Sequence, residues 1–304
     1  MLDAARDIIH GLLQPVAAIA PKYFYDARGS TIFEEITRLP EYYPTRTERA
    51  IMQRHAADIA QRVGPGRTVI ELGAGNCEKA RFLCEAIAAA RFVAVDISEE
   101  FLHQSVDRLK AEMPALEVQA FAADLTAEIV LPADVPQAGR VLFYPGSSIG
   151  NFDPPEALGL LTRMRHMLQD DGALLIGVDL RKDVAVLEAA YDDAAGVTAA
   201  FNLNVLAHVN LLIGSDFDLS DWQHRAFYNA DASRIEMHLE AVADCTVNWP
   251  DGERAFARGE RIHTENSYKV DIEGFARLLD EAGFHSTVAW TDERRWFAVV
   301  LACP

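Results

Sequence analysis

Short apolar runs alternate with helical patterns through the middle of this chain, and this alternation limits its fold more than any other feature. The buried strands of a parallel sheet are nearly continuous apolar runs, because helices cover both faces of such a sheet. Strands and helices that alternate along the chain are typical of the α/β class. The pattern therefore predicts an α/β fold with a doubly wound sheet, whose strands are Arg67–Leu72, Arg91–Ile97, Leu116–Ala123, Arg140–Tyr144 and Gly172–Asp179.

Three helices are predicted between these strands, over residues 79–90, 98–113 and 153–168. Ser98 is expected to cap the second helix, because a serine hydroxyl can accept a hydrogen bond from a backbone N–H of the first turn. The third helix has the clearest start, with Asp153 as its cap, a proline in the first turn and Glu156 completing a capping box.

The alternation ends after residue 179, which indicates an insert in the sheet domain. Residues 182–204 have helical spacing, and residues 233–248 and 260–270 alternate like antiparallel strands. The N-terminal 60 residues show no parallel-strand pattern, so we expect them to pack with the insert. The predicted domains are residues 61–180 plus 268–304, which form the sheet domain, and residues 1–60 plus 181–267, which form a second α+β domain.

The two ends of the chain have patterns of their own. Residues 1–20 are apolar but interspersed with charges, which favours an amphipathic helix over a signal peptide. Residues 271–282 predict a capped helix that Gly283 ends. Residues 285–290 and 296–303 predict a hairpin that closes the sheet.

Charge and cysteine content restrict the partners and the compartment of this 304-residue chain. Its formal net charge of −18 argues against nucleic acid and anionic membrane as partners, since phosphate binding needs a basic surface. No uncharged apolar run reaches the roughly 18 residues of a membrane span. Four cysteines without paired spacing indicate a reduced, cytoplasmic protein: Cys77, Cys84, Cys245 and Cys303.

A glycine-rich turn follows the first strand and is the sharpest local motif. Gly73 and Gly75 let a backbone approach a ligand closely. The dinucleotide fingerprint requires a third glycine where this chain has Glu78, so pyrophosphate binding and a dehydrogenase are disfavoured. Asp96 ends the second strand, and Asp124 follows the third strand.

These residues, in register on three successive strands, resemble the class I methyltransferases, which bind S-adenosylmethionine. The resemblance implies that Asp96 contacts the ribose of the cofactor and that Asp124 and Leu125 contact its adenine. It also implies a place near the cofactor for Lys79, which could equally be a surface lysine at a helix N-terminus.

A second motif, Gly146-Ser147-Ser148-Ile149-Gly150, matches the nucleophile elbow of the α/β-hydrolases. In that fold a helix follows the serine at once, whereas here Asn151 and Phe152 intervene, so a serine hydrolase is disfavoured. The nine histidines show no metal-ligand spacing, and no metal site is expected.

Several longer segments closely resemble the L-histidine Nα-methyltransferases of ergothioneine biosynthesis, and the resemblance covers nearly the whole chain. It implies a class I methyltransferase (Rossmann-like) domain with a second α+β substrate-binding domain. It also implies three methyl transfers from S-adenosylmethionine to the α-amino group of L-histidine, giving hercynine. The segments are Lys22–Ser30, Leu39–Glu48, Gly150-Asn151, Tyr191–Asn202 and Thr264–Ser267.

The resemblance assigns substrate-binding roles residue by residue. Tyr42 and Tyr191 match tyrosines that hold the substrate carboxylate, and Asn151 matches an asparagine at the main-chain groups of the amino acid. Tyr25 matches a tyrosine near the reacting amine and is the candidate catalytic residue. The remaining matches are Glu265 and Ser267, which read the imidazole, Thr198, which supports that pair, Met237, which lines the pocket, and Phe33, whose ring is close to the amine.

The proposed imidazole pair also has a physical basis. Glu265 and Ser267 are two residues apart on a predicted strand, so both should project to one face and could contact both ring nitrogens. The neighbouring acids Asp192 and Asp193 are expected on a solvated face, without a role. The loop departs from the family pattern at Asn76-Cys77, and we expect Cys77 to be oxidisable if it is exposed.

Two alternatives remain open on the sequence. The same chemistry could act on another amino acid or on a histidine derivative. A protein of a different class, a non-catalytic sensor that binds S-adenosylmethionine or an amino acid, is disfavoured by the intact set of tyrosines, Asn151 and Glu265. The family resemblance favours a monomer.

Overall fold

The computed structural model describes residues 2–127 and 129–304, and the chain divides into two compact units. One unit contains the residues up to Tyr43 together with Lys182–Ser267, and the other contains Pro44–Arg181 together with Tyr268–Pro304. The predicted first boundary at residue 60 was wrong: residues 44–60 belong to the second of these units. The reason is that apolar side chains of this segment, such as Ile59, are buried in the core of its large sheet.

Helices and strands alternate along the described residues as follows. The α-helices are α1 (Leu2–Leu12), α2 (Ala27–Ile36), α3 (Tyr43–Arg54), α4 (Ala56–Val63), α5 (Glu78–Ala86), α6 (Glu99–Glu112), α7 (Pro154–His166), α8 (Val184–Ala189), α9 (Val197–Ile213) and α10 (Ile272–Glu281). The strands are β1 (Ala17–Ala18), β2 (Thr68–Leu72), β3 (Arg91–Asp96), β4 (Glu117–Ala122), β5 (Arg140–Tyr144), β6 (Ala173–Asp179), β7 (Trp222–Asn229), β8 (Arg234–Ala241), β9 (Cys245–Trp249), β10 (Gly252–Phe256), β11 (Arg261–Tyr268), β12 (Ser286–Thr291) and β13 (Phe297–Cys303). Short 3₁₀ helices cover Pro21–Phe24, Ser148–Asn151 and Leu219–Asp221.

The large sheet has the strand order β12-β13-β6-β5-β2-β3-β4. Strands β4, β3, β2, β5 and β6 are parallel, and the β12–β13 hairpin adds an antiparallel edge next to β6. This arrangement confirms the predicted doubly wound sheet and its closing hairpin. It also brings the carboxyl ends of β2, β3 and β4 to adjacent places on one edge.

Successive side chains of the parallel strands enter two separate cores, because residues alternate across a sheet. Val69 and Phe143 pack with α4 and α5 on one face. Ile70 and Leu142 pack with α7 and α10 on the opposite face. Burial on both faces explains why these strands are continuous apolar runs in the sequence.

The other unit contains a four-stranded sheet of order β1-β11-β8-β7, a β9–β10 hairpin and the apolar helix α9. The prediction of one helix over residues 182–204 was wrong, because the chain breaks between α8 and α9. Gly196 has a φ of +74°, in the left-handed region, which ends one helical path before the next begins.

The predicted single strand over residues 233–248 is two strands, β8 and β9, separated by an exposed bend at residues 242–244. Strand β7 was not predicted. It lies at the edge of its sheet and most of its side chains are only half-buried, so its sequence is too polar to show a strand pattern.

The N-terminal helix ends at Leu12, eight residues before the predicted end. Pro15 explains the early end, because a proline disfavours the helical conformation of the residue before it. The chain then returns alongside α1, and Ala17 and Ala18 pair in parallel with β11. Among the described residues, no helix is long and apolar enough to cross a membrane.

The N-terminus of α9 is held by an acid that sequence patterning placed on a solvated face. Asp193 is buried, and its carboxylate accepts hydrogen bonds from the N–H groups of Val197 (3.0 Å) and Thr198 (2.7 Å). Burial alone would raise the pKa of Asp193, but the hydrogen bonds from these two N–H groups lower it below its usual value. Asp192, its neighbour, is exposed as predicted.

Asp193→Ala is therefore expected to lower the free energy of unfolding at pH 7 by about 1–2 kcal/mol, as for the loss of a helix cap. A carboxyl whose pKa is lower in the folded state stabilises above its unfolded pKa, which is about 3.9. The difference from the parent should thus be full at neutral pH and disappear as the pH falls through the folded pKa. Urea unfolding at pH 7 and in acid would measure it, with Asp192→Ala as the control that changes little.

Candidate active site

The glycine turn after β2 opens onto free space at the carboxyl edge of the large sheet. Gly73 and Gly75 have φ angles of +72° and +51°, where a side chain is strained. A Cβ atom added at either position would meet no protein atom within 4 Å. A ligand can therefore approach this backbone directly, as the sequence predicts.

Asp96 lies at the end of β3, beside the glycine turn. One carboxylate oxygen accepts the N–H of Gly75 (2.9 Å) and the other accepts the N–H of Ser98 (3.0 Å). The predicted capping of α6 by the Ser98 hydroxyl was wrong, since that side chain makes no cap hydrogen bond. The Asp96 carboxylate is thus fixed next to the open glycine turn, in a position to accept further hydrogen bonds.

Asp124 and Leu125 follow β4 on the same edge. The Asp124 carboxylate accepts hydrogen bonds from the backbone N–H (2.8 Å) and the hydroxyl (2.6 Å) of Thr126, which folds the segment into a local turn. Arg163 of α7 donates to the Leu125 carbonyl at 3.2 Å, and the Leu125 side chain packs on the sheet core. These contacts fix the turn that carries both predicted residues.

A buried glutamate that sequence reasoning missed connects Lys79 to the loop after β5. The Glu48 side chain is 1% exposed, and its carboxylate lies 2.6 Å from the Lys79 ammonium. Both its oxygens accept the N–H of Gly146, at 2.9 and 3.1 Å. Glu48 ends the Leu39–Glu48 segment quoted above, but a glutamate in a helix usually faces solvent, so its type gave no signal.

Glu71 adds a second buried acid to this edge. Its side chain is 1% exposed, and burial raises the pKa of its carboxyl well above the usual range, an effect that Lys79 partly offsets. Asp96 and Glu48 raise it further. The carboxylates of Glu48 and Asp96 outnumber the Lys79 ammonium near Glu71, which favours a cationic ligand over a phosphate.

Oxidation of Cys77, the cysteine in the glycine turn, was expected only if this residue is exposed. The structure shows that it is buried. Cys77 and Cys84 are both buried, and burial raises the pKa of both thiols. Since the thiolate is the reactive form, a maleimide should label the half-buried Cys245 and Cys303 in the native protein at pH 8 well before these two. Peptide mapping by mass spectrometry would check this order. Equal labelling rates at all four positions would contradict it.

The serine of the hydrolase-like motif has no catalytic arrangement. The Ser148 hydroxyl donates to the Pro145 carbonyl (3.3 Å), and the residue begins a 3₁₀ helix that ends at Asn151. The half-buried Asn151 therefore lies at the end of the loop after β5. Within residues 2–127 and 129–304, no three His, Cys, Asp or Glu side chains form a group that could hold a metal ion.

In the other unit, four predicted substrate residues from separate segments form a continuous series of ring contacts. Tyr25 contacts Phe33 (centroids 5.8 Å apart), Phe33 contacts Tyr42 (6.2 Å), and Tyr42 contacts Tyr191 (6.5 Å), all edge to face. Phe201 of α9 contacts both Tyr25 and Phe33, and sequence reasoning gave it no role although it lies in a quoted segment. The result is an aromatic surface carrying three phenols.

The predicted imidazole pair is on β11, beside this aromatic series. The Ser267 hydroxyl is 2.7 Å from the Tyr191 hydroxyl, which joins two predicted substrate residues directly. Glu265, two residues earlier, is 7% exposed. Thr198 and Met237 are buried in the same unit, on α9 and β8.

Comparisons with known proteins identify the family of this chain. A family described as histidine-specific, S-adenosylmethionine-dependent methyltransferases matches residues 4–304. The chain is 42% identical to the histidine N-alpha-methyltransferase of Mycolicibacterium smegmatis, over 98% of this chain and 94% of that protein. It is 38% identical to the histidine N-alpha-methyltransferase of Mycobacterium tuberculosis, over 99% of this chain and 95% of that protein.

A solved structure shares the fold alone. An S-adenosylmethionine-dependent methyltransferase from Clostridium acetobutylicum superposes with a TM-score of 0.50 at 10% identity, over 91% of this chain and 99% of that one. Together with the family match over almost the whole length, these findings confirm the class I methyltransferase fold and the predicted family. The chain belongs to the histidine-specific, S-adenosylmethionine-dependent methyltransferases.

Proposed function

We propose that this chain is an S-adenosylmethionine-dependent N-methyltransferase that converts L-histidine to its trimethylated betaine, hercynine, the first step of ergothioneine biosynthesis. The observation that carries the proposal is the aromatic series from Tyr25 to Tyr191, which joins the Ser267 hydroxyl at 2.7 Å. Residues assigned to histidine binding from distant parts of the sequence lie together there. Identities of 42% and 38% to histidine N-alpha-methyltransferases support the same substrate.

The cofactor supplies an electrophilic methyl group on a sulfonium. We assign its ribose to Asp96, its adenine to Asp124 and Leu125, and its backbone contacts to Gly73 and Gly75. The open space at both glycines and the fixed Asp96 carboxylate fit such a group. Lys79 is paired with Glu48 and stands 3.3 Å from where a Cβ of Gly146 would be, so we assign it to the same edge.

The substrate roles follow from the donor groups of each side chain. Tyr42 and Tyr191 are proposed to hold the carboxylate, and Asn151 the main-chain groups, through neutral donors that do not repel an incoming sulfonium. Glu265 and Ser267 are proposed to accept or donate at the two imidazole nitrogens, with Thr198 supporting the pair and Met237 lining the pocket. Tyr25 is proposed to orient the amine, which must be neutral when it attacks in line.

The aromatic side chains also suit the product. A trimethylammonium group cannot donate hydrogen bonds, so the polar groups that bind a primary amine cannot hold it. The face of an aromatic ring attracts such a cation, typically by about 0.5–2 kcal/mol. Phe33, with Tyr25 beside it, is the proposed surface for the growing methyl groups.

Mass spectrometry tests the substrate directly. The twenty amino acids are incubated together with the protein and S-adenosylmethionine, and methylated products are identified by mass. Histidine alone should gain three methyl groups. Methylation of another amino acid would support the methyltransferase reaction but contradict the assignment of Glu265 and Ser267 to the imidazole. Binding of S-adenosylmethionine without any methylation would favour an amine outside this panel or a non-catalytic binder.

We further propose that the protein acts in the cytoplasm as a monomer, without nucleic acid or membrane as a partner. The net charge of −18 supports the exclusion of polyanionic partners. Light scattering coupled to size exclusion would test the monomer at micromolar concentration: a mass near 33.6 kDa is expected, and a mass near twice that value would contradict it.

A further inference from the structure

A chain of buried and half-buried hydrogen bonds lies next to Tyr191 and uses two residues without an assigned role. The centre of this chain is Asn202 of α9, whose side chain is fully buried. Its amide oxygen lies 2.8 Å from the Thr264 hydroxyl, whose one proton it shares with the Met237 carbonyl at 3.0 Å. Its amide nitrogen contacts the His238 carbonyl oxygen at 3.0 Å and Nδ1 of His224 at 2.8 Å.

These partners fix the orientation of the amide and the tautomer of the imidazole. A carbonyl oxygen only accepts, so the Asn202 nitrogen must face His238 and donate its two protons to that oxygen and to His224. Nδ1 of His224 therefore accepts. Nε2 of the same ring lies 2.8 Å from the Tyr191 carbonyl, which also only accepts, so Nε2 carries the proton and donates. The ring is held neutral by geometry on both sides.

The two ends of this chain of hydrogen bonds reach the two segments that carry the Tyr191 and Ser267 hydroxyls. His224 holds the backbone of Tyr191, whose phenol lies 2.7 Å from the Ser267 hydroxyl. Asn202 holds Thr264, which is on β11, the strand that carries Ser267. The two segments that present these hydroxyls are thus connected through two side chains.

We propose that Asn202 and His224 are positioning residues that fix the Tyr191 and Ser267 hydroxyls for histidine binding. This inference rests on the proposed function, because it takes from it the role of Tyr191. It assigns no contact between His224 and the substrate. The neutral imidazole acts through the Tyr191 carbonyl. Protonation would place a proton on Nδ1, which would then face the N–H of the Asn202 amide, and the hydrogen bond between the two side chains would be lost.

The surroundings of the ring favour its neutral form. Burial lowers the pKa of His224, and Arg225 adds to this, whereas the Tyr191 carbonyl, Asp192 and Asp193 act in the opposite direction. The facing residue on β8 is Leu239, and α9 contains no Asp, Glu, Lys or Arg. The other titratable groups on packed elements are His208 on α9, Glu188 on α8, and Arg234, Glu236, His238 and Glu240 on β8.

The experiment compares steady-state kinetics of His224 variants at saturating S-adenosylmethionine. His224→Phe removes both hydrogen bonds and should raise KM for histidine about 10-fold, since a net hydrogen bond contributes on this order. His224→Gln places an N–H where Nε2 stands, so KM should recover to within about threefold of the parent. KM for S-adenosylmethionine should change less than twofold in both variants.

A matched control is available in the same unit. Nδ1 of His208 also lies 2.8 Å from a tyrosine carbonyl, that of Tyr23, which has no proposed substrate role. His208→Gln should leave KM for histidine unchanged. Thermal unfolding of each variant separates positioning from stability. If His224 had only a structural role, its variants would have a lower melting temperature, and KM for histidine would not recover in His224→Gln.

The pH dependence gives a readout that is independent of folding. As the pH falls from 8 to 5.5, KM for histidine should rise more steeply in the parent than in His224→Gln, which cannot be protonated. Protonation of the substrate L-histidine affects the parent and His224→Gln equally. Parallel profiles would overturn the proposal, as would an unchanged KM in His224→Phe.

Tyr191→Phe separates failure of this inference from failure of the proposed function. If Tyr191→Phe raises KM for histidine and His224→Phe does not, the positioning role is wrong and the proposed function stands. If Tyr191→Phe leaves KM unchanged, the assigned role of Tyr191 is wrong and the inference falls with it.

Discussion

Replacement of Glu265 by alanine is expected to lower kcat/KM for L-histidine about 100-fold while the affinity for S-adenosylmethionine changes less than twofold. Glu265 is 7% exposed on β11, two residues from the Ser267 hydroxyl that contacts Tyr191. A carboxylate that accepts an imidazole N–H makes a charge-assisted hydrogen bond, and its loss leaves a buried polar ligand atom unpaired, which together cost roughly 2–4 kcal/mol. The discrimination against other amino acids should fall with it, because a site built for ring nitrogens selects by pairing them.

Two measurements check this expectation. Kinetics with histidine and with a second amino acid give the selectivity, and calorimetry with S-adenosylhomocysteine gives cofactor affinity. Glu253→Ala makes the same change at an exposed position of the same unit and should alter neither. Equal losses of histidine turnover and cofactor affinity in Glu265→Ala would reject the assigned role.

Asp96→Ala is expected to weaken binding of S-adenosylhomocysteine by about 100-fold or more. The variant removes the acceptor proposed for both ribose hydroxyls, and two hydrogen bonds to a charged group contribute about 1.5–3 kcal/mol each when nothing replaces them. It also leaves the Gly75 N–H without its acceptor at 2.9 Å, so the glycine turn loses a support. The loss of the ribose acceptor and the loss of this support both weaken cofactor binding at the same edge of the sheet.

Calorimetry with Asp96→Asn separates the two effects in part. Its one amide oxygen can still accept the Gly75 N–H but not both hydroxyls at full charge, and its amide nitrogen then faces the Ser98 N–H, which it cannot accept. An intermediate affinity is expected. Glu99→Gln removes one negative charge at the exposed start of α6 and serves as the charge control, with unchanged affinity. If Asp96→Ala binds as the parent does, the ribose site lies elsewhere.

Much of the large sheet could be predicted because its information is local. Strands buried on both faces are apolar throughout, and β5 has the bounds that the sequence predicts. The polar edge strand β7 and the break before α9 were missed for the opposite reason. Half-burial leaves no clear period, and the break depends on Gly196 together with the acid at position 193.

The candidate site divides in the same way. The glycine turn and Asp96 follow directly from motif spacing on successive strands, and their positions agree. Glu48 and Asn202 lie in segments that the sequence singles out, yet residues of these two types are mostly exposed, so nothing in the sequence indicates their burial. Their importance comes from partners distant in sequence, such as Gly146 for Glu48 and Thr264 for Asn202.

The sequence by itself determined the class of fold and the place of the glycine turn, because periodicity, glycine placement and motif spacing are properties of neighbouring residues. It determined the family through the resemblance of longer segments. The tertiary structure alone decided which side chains meet: the ring contacts from Tyr25 to Tyr191, the buried Glu48 and the neutral tautomer of His224. Such contacts depend on how remote segments fold together, and a hydrogen-bond network has a defined direction only once all its partners are in place.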